Sequence, residues 1–177
     1  MWEKVIKIIW APWRIGYIEK AKSGVKEECF LCDAWKGIDK DKLGVYKGKN
    51  AMIIMNKYPY NSGHIMIFPK THTAEIKDIS LEERIEIFEL IEISIEALRD
   101  VIKPQGFNIG VNLGRPAGAG LEEHIHIHIV PRWTGDTNFM SVIGNSKVIV
   151  EDIMMTTRKI KDALTEIISE RIKKLKN

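Results

Sequence analysis

The chain has 177 residues, 45% hydrophobic and 29% charged, with a formal net charge of +3. This suits a soluble domain with a real core and appended ends, and the charge balance is too mild to point to nucleic acid, though it is compatible with a small anionic substrate. No uncharged apolar run approaches the ~18 residues of a membrane span. Glu3, Lys4 and Lys7 interrupt the apolar N-terminus and no small-residue cleavage site follows, so neither an export signal nor membrane attachment is expected, and a cytoplasmic location is.

Taken in order, residues 1–28 crowd Trp2, Trp10 and Trp13 into a tail expected to pack its tryptophans onto the domain. Both cysteines fall in Cys29-Phe30-Leu31-Cys32. In a reducing compartment such a pair is more often half of a metal site or a redox pair than a disulfide, and a tetrahedral zinc would need two more ligands. Residues 43–47 and 51–55 read as a hairpin about Gly48-Lys49-Asn50. Turn formers fill Asn56 to Gly63, where Asn56 alone reads as a turn cap, and His64 to Phe68 is the next strand, ended by Pro69.

Ser80-Leu81-Glu82-Glu83 is a capping box that opens a long helix. Leu81, Ile85, Phe88, Ile91, Ile95, Leu98 and Ile102 form its apolar stripe, expected in the core, and Pro104 and Gly106 close it. Ile87, Leu90 and Ile93 widen the apolar surface enough to suit a partner subunit as well. Residues 107–113 alternate as a strand with Asn108 and Asn112 on one face. The loop Gly114 to Gly120 is glycine-rich, so its backbone N–H groups can turn toward an anion, and it feeds directly into the histidines that follow. A last helix is expected at about 156–175, with Ile160, Leu164, Ile167, Ile168, Ile172 and Leu175 as its stripe.

Three of the five histidines lie in His124-Ile125-His126-Ile127-His128-Ile129-Val130-Pro131. Alternation of period two is a half-buried strand, with imidazoles on one face and isoleucines anchored on the other. An ordinary strand rarely shows three consecutive histidines outward, and a strand rarely aims three at one ion. The remaining reading is nucleophilic: an imidazole with a pKa near 6.5 is largely unprotonated at neutral pH, with one nitrogen free to attack phosphorus.

Residues 124–130 match His-φ-His-φ-His-φ-φ, φ being apolar, and so resemble the histidine-triad (HIT) family at every position of its motif. The resemblance extends to Trp10-Ala11-Pro12-Trp13-Arg14, to the Gly63-His64 strand ending in Pro69-Lys70, and to the Pro131-Arg132-Trp133 run through Asn138-Phe139. Similar stretches mark members near the diadenosine tetraphosphate phosphorylases and hydrolases. It implies an α+β fold: an antiparallel sheet of about five strands, a long packed helix, a C-terminal helix, and a homodimer. The layout would be a Trp-rich extension over 1–28, a HIT domain over 29–140 and a C-terminal extension over 141–177.

The implied activity is that of a nucleotidyl hydrolase or transferase acting on a nucleotide or dinucleoside polyphosphate, with His126 as nucleophile. His128, Asn112 and the N–H groups of Gly118 to Gly120 are the candidate donors to the phosphate, Asn56 the ribose contact, and Val45, Ile53 and Met55 the apolar wall for the base. Family members with a C-x-x-C pair complete a structural zinc site with two histidines, here Cys29, Cys32, His64 and His124; the chemistry itself needs no cofactor. The other reading of the cysteines is a metal-free pair beside a His124 that contacts phosphate. One departure stands out. Many members carry Gln and then Ser or Thr where this chain has Gly120 and Leu121, followed by Glu122 and Glu123, so a side-chain contact to the leaving group or phosphate is missing or rerouted here. A nucleoside phosphoramidase, or a zinc-stabilised nucleotide-binding regulatory protein with negligible turnover, are the alternatives.

Overall fold

The computed structural model describes residues 29–137 and 152–176. The tryptophan-rich stretch, Asn138 and Phe139, and the outer limits of the expected layout lie outside them. Among the described residues five strands form one antiparallel sheet: β1 (Gly44–Lys47), β2 (Ala51–Met55), β3 (Ile65–Pro69), β4 (Gly106–Val111) and β5 (Ile127–Arg132), in the order β1-β2-β3-β5-β4. The helices are a short α1 (Phe30–Trp35), the long α2 (Leu81–Ile102) and α3 (Ile153–Lys176). This is the expected α+β arrangement. No helix of the described residues is long and apolar enough to cross a membrane.

β2 and β3 are buried along their whole length, so their runs of Ile, Met and Phe form the centre of the core. In β5 the isoleucines alternate into that core, as the period-two pattern requires. The β3–β5 ladder runs from Ile65 opposite Ile129 to Ile67 opposite Ile127 and stops there. The next position on β3 that could donate is Pro69, which has no N–H. The strand expected from His124 therefore enters the ladder only at Ile127.

α2 starts where the capping box places it: Ser80 Oγ accepts from Glu83 N–H and the Glu83 carboxylate accepts from Ser80 N–H. Its buried arc is rotated from the sequence expectation: of the expected stripe Leu98 is buried and Ile91, Ile95 and Ile102 are half-buried, but its first members are not in the core. Ile87, Leu90, Ile93, Ala97 and Leu98 face the sheet, while Leu81, Ile85 and Phe88 point outward, Phe88 being 74% exposed. Periodicity fixes an apolar arc and not which edge of it meets the sheet; here the buried edge is the one that also carries Glu83 and Ser94. α3 packs on α2 and β1 through Ile160 and Leu164, and Asp152 caps it by accepting from Met154 and Met155 N–H. Ile167 and Ile168 are half-buried and Ile172 is exposed, so its stripe is a core contact only in the first half.

Candidate functional site

The antiparallel register decides which histidines meet. Extending the β3–β5 pairing sets His64 opposite Val130 and His124 opposite Lys70, at opposite ends of the ladder. Six residue steps separate those positions along β3 and its two flanking residues, roughly 20 Å at ~3.3 Å per residue. His64 does not reach the cysteines, and the expectation that it completes their site is corrected: His72, three residues past the end of β3, takes that corner. The signal was in the sequence, since an antiparallel partner of His124 must come from beyond the C-terminal end of the His64 strand.

His124 Nδ1 lies 3.3 Å from Cys29 Sγ and 3.5 Å from Cys32 Sγ, and His72 Nδ1 lies 3.2 Å from Cys32 Sγ. The four ligand atoms all fall within 4.8 Å of one another. A tetrahedral zinc with Zn–S about 2.3 Å and Zn–N about 2.0 Å has ligand–ligand edges of roughly 3.3 to 3.8 Å, so two thiols and two imidazoles so placed fit that ion. His124 Nε2–H donates to the Pro69 carbonyl at 2.9 Å, which fixes its tautomer and leaves the Nδ1 lone pair toward the sulfurs. Burial pushes the His124 imidazole down to about 4, so it is neutral and ready to ligate. Burial also pushes the Cys29 thiol up to about 11, a proton that a bound dication would displace.

Two residues along, the wiring differs. His126 is 5% exposed and its Nδ1–H donates to the His124 carbonyl at 2.9 Å. The lone pair of the ring is thereby placed on Nε2. Burial, partly offset by that hydrogen bond, holds the imidazole below its ordinary pKa, so Nε2 is unprotonated at neutral pH. His128 sits with its ring centroid 4.9 Å from that of His126.

His64 lies against His128. Tyr60 N–H donates to His64 Nδ1 at 3.1 Å, and the Tyr60 ring stacks on the imidazole with centroids 4.8 Å apart. A backbone N–H can only donate, so His64 Nδ1 carries no proton and Nε2–H donates to His128 Nδ1 at 3.0 Å. Neutral His128 must then hold its own proton on Nε2, as a donor. The turn before His64 requires Gly63: its φ is +74°, and a Cβ there would come within 2.5 Å of Ile102 Cδ1. Asn56 Oδ1 accepts from Tyr58 N–H at 2.8 Å, closing the turn that presents Tyr60. This is the turn-capping role that its residue type alone suggests.

On the other side, extending the β4–β5 register from Val111 opposite Ile127 sets Asn112 across from His126. Asn112 Nδ2 donates to the Gly118 carbonyl at 3.4 Å, tethering the glycine-rich loop at the end of β4. Gly118, with φ +91°, donates its own N–H to the Arg115 carbonyl at 2.9 Å, so that amide closes a turn and does not face a ligand. Gly120 is exposed and leads into the bend before His124. Glu122, at the point of departure from the family pattern, pairs with Arg115 at 2.6 Å. Val45, Ile53 and Met55 are core residues beneath the sheet, and the expectation that they wall a base pocket is corrected.

Fold and site together define an α+β protein whose histidine row holds one imidazole with its Nε2 unprotonated, beside a cluster of two cysteines and two histidines. Residues 38–135 match the HIT domain, more than half of the chain, and the chain belongs to the HIT family. It is 37% identical over 158 residues to the AP-4-A phosphorylase of Mycobacterium tuberculosis, covering 86% of this chain and 80% of that one. An asymmetrical bis(5'-nucleosyl)-tetraphosphatase of Schizosaccharomyces pombe is 28% identical over 51% of this chain and 50% of its own length. Among solved structures, a zinc-bound histidine triad family protein from Mycobacterium smegmatis superposes with a TM-score of 0.66 at 28% identity, covering 81% of this chain and 97% of that one. With such relatives, the chain is an enzyme of the HIT family.

Proposed function

We propose that the enzyme cleaves dinucleoside polyphosphates, diadenosine tetraphosphate among them, through a nucleotidyl group carried on His126. The observation that carries the reading is the hydrogen bond from His126 Nδ1–H to the His124 carbonyl, which commits Nε2 as the attacking atom. The similarity to the AP-4-A phosphorylase supports the substrate class. Nε2 forms an N–P bond to the α-phosphorus as the P–O bond to the polyphosphate breaks, and the electron pair leaves on that oxygen. The ring becomes cationic, and its Nδ1–H bond to the carbonyl strengthens with that charge. Neutral His128, its Nε2 proton set by His64, donates to the phosphoryl or leaving oxygen. Water, releasing a proton to solvent, or an anionic oxygen of inorganic phosphate then forms a P–O bond to the nucleotidyl group, the N–P bond breaks with its electron pair returning to Nε2, and neutral His126 is restored.

In the same reading Cys29, Cys32, His72 and His124 hold a zinc ion, supported by their geometry and by the zinc-bound relative. Filling all four positions with protein leaves no place for a reacting water, so the ion would cross-link α1, the loop after β3 and the entry to β5. A second copy of the chain would cover the outward face of α2, where Ile85, Phe88, Ile91 and Ile95 line a groove of about 650 Å³. Light scattering at micromolar concentration gives twice the monomer mass if so.

The deciding experiment is incubation with diadenosine tetraphosphate, with and without phosphate. ADP plus ATP identifies phosphorolysis, and AMP plus ATP asymmetric hydrolysis. A mass increase of one nucleotidyl group on the peptide containing His126 is the expected intermediate. Cleavage of neither kind, or a nucleotidyl group trapped elsewhere, overturns the proposal.

A further inference from the structure

Glu83 is a charged side chain that the proposed chemistry does not use, yet it is only 4% exposed. Burying a carboxylate is unfavourable unless hydrogen bonds replace its water. Two backbone amides do so from different directions. Oε2 accepts from Ser80 N–H at 2.9 Å, which is the helix cap, and Oε1 accepts from Thr71 N–H at 2.7 Å, which is not. Thr71 immediately precedes His72, the ligand that sequence reasoning missed. The segment around it is tied at both ends to the histidine row: Pro69 O accepts from His124 Nε2–H, and Thr73 O accepts from Ile125 N–H at 2.7 Å. Between those ties, the Glu83 carboxylate is the contact made to the middle of the loop by the first turn of α2.

We propose that Glu83 is the positioning residue of the metal centre, holding the main chain at Thr71 so that the His72 imidazole stands at the fourth corner opposite Cys29, Cys32 and His124. This rests on the metal reading of that cluster. His72 is the exposed one of the four ligands, His124 being buried and both cysteines half-buried, so it has the most conformational freedom to lose on binding. An anchor one residue away removes much of that freedom before the ion arrives. Buried and doubly bonded, the carboxylate also sets a fixed negative charge behind a site that takes a dication.

The test uses the full chain, cobalt(II) as probe and zinc in competition with a colorimetric chelator. Wild type takes up one metal per chain with the visible bands of a tetrahedral two-sulfur, two-nitrogen site. Glu83→Ala weakens metal affinity about 10- to 100-fold, the range for losing a residue that orients a ligand, and its cobalt bands weaken as His72 gives way to water. Glu83→Gln, which keeps the shape and one acceptor, falls between and serves if the alanine variant does not fold. Ser80→Ala breaks the other half of the same helix cap and leaves the Thr71 bond, so it lowers the melting temperature and leaves metal affinity within about twofold. If Ser80→Ala and the Glu83 variants weaken the metal equally, or the Glu83 variants leave it unchanged, Glu83 is only a helix cap and the proposal is overturned. A wild-type chain that binds no metal overturns it together with the metal reading, whereas cobalt bound with unaltered bands in Glu83→Ala overturns it alone.

Discussion

His124 and His126 are the same residue type, two positions apart, both buried, and they are wired in opposite senses. His124 gives its Nε2 proton to a neighbouring strand and turns Nδ1 to the cysteines; His126 gives its Nδ1 proton to the His124 carbonyl and keeps Nε2 bare. The difference lies in which nitrogen a backbone carbonyl has claimed. A histidine in a repeat therefore has no fixed job, and the nearest acceptor assigns it. His128 continues the lesson, since His64 sets its tautomer through Tyr60 and not through its own strand.

The sharpest way to break this contrast is to remove each ring in turn. His126→Ala should lose at least about a thousandfold in kcat while retaining metal and binding nucleotide within about tenfold, because the lost bond forms mainly on the way to the transition state. Retention of a tenth of wild-type kcat would end the nucleophile assignment. The opposite end should respond in stability. Removing metal with a chelator, or making Cys32→Ser, should lower the melting temperature by roughly 5 to 15 °C, the scale for losing a ligand held at 100 to 1,000 times its Kd in a chain of this length. Calorimetry showing no shift would leave the cluster without a structural role.

His64→Ala tests the relay to His128. It frees the His128 tautomer and leaves Tyr60 N–H without its acceptor, so kcat should fall about 10- to 100-fold with metal content unchanged and KM nearly so. A fall in metal content instead would put His64 back beside the cysteines. The smallest effect is in pH. In metal-free protein His124 is held near 4 and His126 below its ordinary value, both by burial. Between those values and the unfolded value of ~6.5 the unfolded chain binds more protons than the folded one, so stability falls as pH drops through that window and is level above it. Thermal melts from pH 7 to 4 measure this, and a melting temperature flat across the range contradicts it. For the same reason the acid limb of kcat/KM should lie below pH ~6.5.

Much of this was legible in the residues. Alternation placed the isoleucines inward and the imidazoles in a row, the capping box placed the start of α2, and Pro69 marked the end of β3. These are local properties, set by the pleat, by the helix repeat and by the missing N–H of proline, and they need no partner to be read.

What only the tertiary structure decided are the pairings between distant segments. His64 and His72 are equally plausible fourth ligands on chemistry, and the antiparallel register of β3 against β5 carries one away from the cysteines and the other to them. Likewise α2 has apolar residues around most of its surface, and the sheet chose the edge with Ile87 and Leu90, leaving Phe88 outside. Sequence sets what a residue can do within a few positions of itself. Register and packing set which residue from elsewhere it meets, because they are fixed by the sum of contacts along whole elements and by no single side chain.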